Sequence, residues 1–177
     1  MKTLTTHINE ALKIGKNISS FSTYSCRPTS KDELKSIIDE RIEKEGPNCN
    51  LNDIDTSLID DMSFLFYNSD FNGDISSWDV SNVKNMAVMF SGSKFNGDIS
   101  RWITSNVKDM SSMFLSAKFN HEISKWNVNN VKNMFSMFAC SNFDKDISKW
   151  NINEKCSTLY MFDRCPIRKE YKPKLPR

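Results

Sequence analysis

Residues 71–90 read Phe71-Asn-Gly-Asp-Ile-Ser-Ser-Trp78-Asp-Val-Ser-Asn-Val-Lys-Asn-Met-Ala-Val-Met-Phe90, and this pattern returns every 24 residues along the chain. A degenerate copy precedes it, with Leu51 and Ile54 at the places of the Ile and the Trp. A fixed period of this length predicts repeats that stack, each burying its apolar residues against its neighbours. The first Phe and the Trp recur in three further copies: Phe95, Phe119, Phe143, Trp102, Trp126 and Trp150.

The internal pattern of one repeat predicts its secondary structure. Trp78-Asp-Val80 alternates apolar and polar residues, which is typical of a strand. After it, Val83, Met86 and Met89 are spaced by three, which favours a short helical turn. The sequence therefore predicts an α/β repeat solenoid, a leucine-rich-repeat-like right-handed coil of about five 24-residue units, each with a short strand and a short helical turn.

The segment before the repeats carries signals for one helix. Ser30-Lys-Asp-Glu33 has the form of a capping box, and Gly46-Pro47 is a stop signal. Between them, Leu34 and Ile38 lie on one helical stripe, so we expect a helix over about 31–45. We predict an N-terminal helical cap over 1–46, repeats over 47–163 and a basic C-terminal tail over 164–177, which closes the last repeat.

Composition limits the compartment and the partners. The net charge of +2 predicts no polyanion partner, and we expect no nucleic acid despite the basic tail. Five cysteines without C-x-x-C spacing favour free thiols in a reducing compartment. The start of the chain lacks a signal-peptide pattern, and no apolar run is long enough to span a bilayer. We therefore expect a cytoplasmic protein, with a host cytoplasm or a virion as alternatives, and no membrane association.

The sequence carries no constellation typical of an active site. It has two histidines, His7 and His121, and lacks a glycine-rich phosphate loop, a zinc-ligand spacing or a nucleophile elbow. We expect no enzyme activity, no cofactor, no bound metal and no small-molecule substrate.

Two polar columns recur with the repeat. The acidic column is Asp74, Asp98, Glu122 and Asp146. Three accounts of it stay open: capping of the adjacent turn, pairing with lysines such as Lys94 and Lys118, or a bound cation such as calcium. The second column, Asn82, Asn106 and Asn130, predicts a structural ladder that satisfies turn amides.

The repeat resembles a known family. Residues 78–90 followed by Phe95-Asn-Gly-Asp-Ile-Ser are similar to the BspA-like leucine-rich repeat, which also occurs in mycoplasma lipoproteins. The resemblance covers about 47–163 and implies a curved solenoid whose strands line one face. For function it implies protein binding or adhesion.

The residues that vary between repeats are the candidate partner-binding residues, because the shared ones are needed for stacking. They flank the Trp column and run from acidic to basic, so we expect a partner protein of complementary charge. We predict a non-catalytic protein–protein interaction module, an inhibitor or adaptor, and favour a phage or mobile-element origin. The alternatives are a structural component of a virion or surface assembly, or a cell-surface adhesin. The oligomeric state stays open. Ile103 and Phe135 are candidate apolar anchors. The predicted strand-face residues are Asp53, Asp55, Ser77, Asp79, Arg101, Ile103, Lys125, Asn127, Lys149 and Asn151.

Overall fold

A computed structural model describes residues 24–176. Its helices are α1, Lys31–Glu45, and a 3₁₀ helix, Lys169–Tyr171. The predicted helix is confirmed, and so is the Ser30 N-cap: the Glu33 amide donates to Ser30 Oγ at 3.2 Å, while Glu33 Oε2 accepts from the Thr29 amide at 2.8 Å. Gly46 ends α1 with a φ of 89°. The start of the predicted 1–46 cap lies outside the described residues.

The predicted α/β repeat solenoid is wrong. Residues 24–176 contain no strand, and consecutive repeats share isolated parallel bridges instead of a sheet. The Trp78–Val80 segment does alternate in burial, but its amides are used locally: Trp78 N–H donates to the carbonyl of Ile75, within the same repeat. Alternating burial therefore arises here without strand pairing, and the predicted strand-lined face has no strands.

The repeats are joined through turns in their second half. In one repeat, the amides of Met86, Val88, Phe90 and Gly92 donate to carbonyls that lie 23 residues later, at 2.7–2.9 Å. The equivalent amides of the neighbouring repeats make the same bonds. This ladder replaces the strand pairing that the sequence predicts, and the predicted helical turn is a run of turns.

Two residues per repeat have the left-handed backbone conformation, and this explains why the segment is neither a strand nor a helix. In the second repeat they are Val88, with φ 62°, and Gly92, with φ 68°. A positive φ interrupts both regular structures, and for a β-branched residue it is uncommon. The hydrogen bonds of the ladder fix the backbone of the turn, and they therefore hold Val88 in this conformation.

Aromatic rings in columns form the core, as the sequence predicts. Phe66, Phe90, Phe114 and Phe138 are fully buried and stack on one another with ring centroids 5.4–5.6 Å apart. Leu34 and Ile38 of α1 are also fully buried and belong to the same core. The helix therefore packs against the core of the repeats.

The C-terminal segment continues the repeat register for half a unit. Ile167 is buried 24 residues after Phe143. The Arg168 amide donates to Asp144 Oδ1 at 3.2 Å, and the Ile147 amide donates to the Tyr171 carbonyl at 3.0 Å. The predicted closure of the last repeat by the tail is confirmed.

Candidate interaction surface

The residues that flank the Trp column form one surface, which we call the Trp-flanking face. Its residues alternate with the buried Trp side chains, so they point away from the core. Asp53 and Asp55 are partly buried, and the others are exposed: Ser77, Asp79, Arg101, Ile103, Lys125, Asn127, Lys149 and Asn151.

Buried indole rings hold this face in place. Trp102 is 4% exposed, and its Nε1–H donates to the carbonyl of Ile75 in the preceding repeat at 3.2 Å. Trp126 makes the equivalent bond to Ile99 at 3.1 Å. Since each Trp is fixed to the repeat before it, the residues on either side of it have a defined position on the surface.

The acidic end of the face is neutralised within the chain. Arg41 of α1 lies 3.0 Å from an Asp53 oxygen, and Arg27 lies 3.0 Å from an Asp55 oxygen. Burial alone would raise the pKa of Asp53, but hydrogen bonds from Ser25 and Arg41 outweigh it and lower that pKa. Of the predicted acids, Asp79 remains exposed. The predicted charge gradient from acidic to basic is therefore weaker than the residue types alone indicate.

The basic end of the face has free cations. Within residues 24–176, Arg101, Lys125 and Lys149 have no carboxylate oxygen within 4.0 Å. Arg101 and Lys125 line an open groove of about 670 Å³, together with Asn127 and Ile103, whose side chain is 61% exposed. The groove thus combines two cations, one carboxylate, one amide and one apolar side chain.

Asp98 lines the groove, although the sequence analysis placed it in the acidic column and did not include it among the partner-binding residues. It lines the main groove and also a second one beside Ser77 and Arg101. Its Oδ1 accepts from the Ser100 amide at 2.9 Å, and this bond is the main cause that lowers the pKa of Asp98. One wall of the groove therefore carries a fixed negative charge near Arg101.

Turn capping explains the three aspartates of the acidic column, and no capping bond of this kind is formed by Glu122 among the described residues. Asp74 and Asp146 accept from the amides of Ser76 and Ser148 at 2.9 Å, as Asp98 does from Ser100. The pKa values of Asp74 and Asp146 are lowered, mainly by these backbone hydrogen bonds. Lys94 pairs instead with Asp70 at 2.9 Å. Among the described residues, no group of three His, Cys, Asp or Glu could hold a metal ion.

The asparagine ladder is confirmed as structural, with one correction. Asn82, Asn106 and Asn130 each donate from Nδ2 to the carbonyl of a Ser in the preceding repeat at 2.7 Å, so they satisfy carbonyls and not amides. The structure shows a second ladder that we did not predict. Asn72 Oδ1 accepts from the Asn96 amide, and Asn96 Oδ1 from the Asn120 amide, both at 2.7 Å.

The two predicted apolar anchors lie on different surfaces. Ile103 lines the groove, whereas Phe135 belongs to the turn segment and meets the Tyr160 ring edge-on, with centroids 5.8 Å apart. Phe135, Leu159 and Tyr160 are 39%, 59% and 59% exposed, and form an apolar group near the C-terminal end of the stack. None of the helices in the described part of the chain is long and apolar enough to cross a membrane.

Comparison with known proteins gives a family. No curated protein and no solved structure matches this chain. One family model matches it twice, over residues 34–139 and 116–170, so the two matches together span most of α1, the repeats and the first half of the tail. The chain therefore belongs to the repeat-containing family described as "Mycoplasma protein of unknown function, DUF285".

Proposed function

We propose that this protein is a non-catalytic protein–protein interaction module that binds its partner through the Trp-flanking face. The observation that carries the proposal is the groove around Arg101, Ile103 and Lys125. Two unpaired cations beside an exposed apolar side chain fit an acidic segment of a partner that also presents an apolar residue. The resemblance to the BspA-like repeat supports the same role, because that family is associated with protein binding.

The proposal gives a role to the residues that vary between repeats on this face. The shared residues of the repeat are buried rings, turn caps or ladder amides, and all of them act between or within repeats. Residues such as Arg101 and Lys125 make no ion pair in the described chain, so stacking does not require their charge. An inhibitor or adaptor would use such positions to select its partner.

The test is a charge reversal with a matched control. Arg101→Glu, Lys125→Glu and Lys149→Glu together should abolish capture of the partner from a lysate of the source cell. The control reverses Lys108, Lys118 and Lys132, which are exposed basic residues outside the face, with the same change in net charge. If the face variant captures the same partner as the wild type, or if both variants lose it equally, the proposal fails.

We also propose a cytoplasmic location. All five cysteines are free thiols in the structure, and Cys49 and Cys156 are buried. Burial raises the pKa of both thiols, which keeps them protonated. Thiols of this kind suit a reducing compartment. Cell fractionation with an antibody against the chain tests the location, and recovery in the extracellular fraction would contradict it.

A further inference from the structure

The turn segments of the repeats form one face that carries almost no charge. The ladder joins these segments to one another, and we call them together the turn face: residues 62–68, 86–92, 110–116, 134–140 and 158–164. The first four segments contain no Asp, Glu, Lys or Arg, and the last contains Asp163 and Arg164, whose opposite charges lie 4.0 Å apart. Charged residues make up 26% of the chain, so they are strongly depleted here.

The turn face also exposes most of the large apolar side chains that reach solvent. Within residues 24–176, eight such side chains are exposed, and five of them lie on this face at 39–59% exposure: Phe64, Tyr67, Phe135, Leu159 and Tyr160. One aromatic side chain can bury about 150–250 Å², so five half-exposed side chains present about 400–600 Å² of apolar surface. Exposed apolar surface on this scale marks an interaction site.

The turn itself does not require these aromatic rings. Phe64 and Tyr160 occupy a position that Ser112 and Ser136 hold in the third and fourth repeats. All four have a left-handed backbone, with φ values from 52° to 64°. Because serine adopts the same turn, the exposed rings at the two ends of the stack are available for a contact outside the chain.

Lysines border the turn face on both sides. On one side they precede a turn segment by two residues, and on the other side they follow one by two residues. All of them are exposed, and the side chains of Lys84 and Lys94 are each 66% exposed. The first border consists of Lys84, Lys108 and Lys132, and the second of Lys94 and Lys118.

Neighbouring carboxylates neutralise only part of this positive charge. Asp60 and Asp70 pair with the first lysine of each border, at 3.1 and 2.9 Å. Asp61 is matched by Lys31 of α1 at 3.5 Å, and Asp109 is the remaining acid beside the borders. Three lysines have no carboxylate oxygen within 4.0 Å in residues 24–176, so each border keeps positive charge: Lys108, Lys118 and Lys132.

The charge of the borders decides what the turn face fits. In a two-fold dimer the same surface meets itself, so lysine borders would lie against lysine borders, and like charges across an interface oppose association. An anionic lipid surface suits both features, because apolar side chains enter the headgroup region while flanking lysines contact anionic headgroups. We expected no membrane association from the sequence, since no segment can span a bilayer, but a face that lies on a bilayer needs no such segment.

We propose that the turn face binds the surface of an anionic bilayer. Its exposed aromatic and leucine side chains enter the headgroup region, and the three unpaired lysines contact anionic headgroups. This site goes beyond the proposed partner site, because the turn face and the Trp-flanking face share no residue. It agrees with the proposed location, since the cytoplasmic leaflet is the anionic one.

The test is cosedimentation of the full chain with vesicles. Vesicles of phosphatidylcholine with about one third phosphatidylserine should bind it, and binding should weaken as salt rises. Vesicles of phosphatidylcholine alone should bind it far less. Phe64→Ser with Tyr160→Ser copies the residue at the equivalent position of other repeats, so this variant should keep its fold, checked by urea unfolding. It should bind anionic vesicles about 10- to 100-fold more weakly.

Charge reversal separates the borders from net charge alone. Each lysine near an anionic surface strengthens binding about fivefold, so reversing the three unpaired lysines to Glu should cost at least about 100-fold. The matched control reverses three basic residues of the Trp-flanking face, with the same change in net charge, and it should lose far less binding: Arg101→Glu, Lys125→Glu and Lys149→Glu.

Four outcomes overturn the proposal. The wild type leaves anionic vesicles unbound, the serine variant binds them as well as the wild type does, or the two charge-reversal variants lose binding equally. The fourth is a dimer in solution that the serine variant dissociates, measured by light scattering after size-exclusion chromatography, because a second copy would then cover the turn face.

Discussion

Replacing one ring of the Phe column tests whether stacked aromatics stabilise the repeats. Phe114 is fully buried and stacks on Phe90 and Phe138 at 5.6 Å and on Phe119 at 4.3 Å. Removing a buried Phe side chain costs about 3–5 kcal/mol, since a cavity remains and the neighbouring rings cannot close it. Phe114→Ala should therefore lower the free energy of unfolding by that amount.

The matched variant is Phe162→Ala at the end of the same column. Phe162 is partly exposed and stacks on a single ring of the column, Phe138, at 5.8 Å. Its loss should cost only about 1–2 kcal/mol, because part of the side chain already meets solvent. At about 2–4 °C per kcal/mol for a chain of this size, the internal variant should melt about 6–20 °C lower than wild type.

Urea unfolding followed by tryptophan fluorescence gives both free energies by linear extrapolation. In a stack where each repeat contacts only its neighbours, the internal position must cost more than the terminal one. Equal losses for Phe114→Ala and Phe162→Ala would refute this reasoning. A loss below about 2 kcal/mol at Phe114 would do the same, since it would mean that the column can close the cavity.

Three further predictions follow from single contacts. Trp126→Phe keeps an aromatic ring but loses the bond to the Ile99 carbonyl, so urea unfolding should show a loss of about 1–3 kcal/mol; no loss would mean that the bond adds nothing. The positive φ of Val88 costs about 1–2 kcal/mol for a residue with a side chain, whereas glycine costs about 0.5–1 kcal/mol in backbone entropy. The melting temperature of Val88→Gly should therefore equal or exceed that of the wild type. A marked fall would contradict backbone strain at this position. The lowered pKa values of Asp74 and Asp98 stabilise the fold above the unfolded pKa of about 3.9, and this stability is lost as the pH falls through their folded values. Asp98→Asn should flatten that acid slope in unfolding measured from about pH 5 to pH 2, and an unchanged slope would speak against the cap.

The sequence was sufficient for the period, the core columns and α1, because each depends on short-range patterns. A capping box and a hydrophobic stripe act within one turn of a helix, and a ring that recurs every 24 residues must meet its copy if the repeats stack. The strand prediction failed for a physical reason. Alternating burial at Trp78 and Val80 requires only a turn that lies over the core. The residue types do not determine which acceptors the backbone amides of this segment bond to.

The conformation of the turn segment was not readable from residue types. Left-handed positions usually carry Gly or Asn, but here Val88 and Phe64 occupy them. Their φ values are set by the ladder to the next repeat, which is a tertiary effect. The same holds for the neutralised acids: Asp53 meets Arg41 because α1 packs against the first repeat. Counting acidic residues along the sequence therefore overestimated the negative charge at this end of the Trp-flanking face.

The Trp-flanking face presents side chains that the stack does not need. Arg101 and Lys125 make no ion pair within the described chain, so changes at these positions should alter the choice of partner without altering the stability of the repeats.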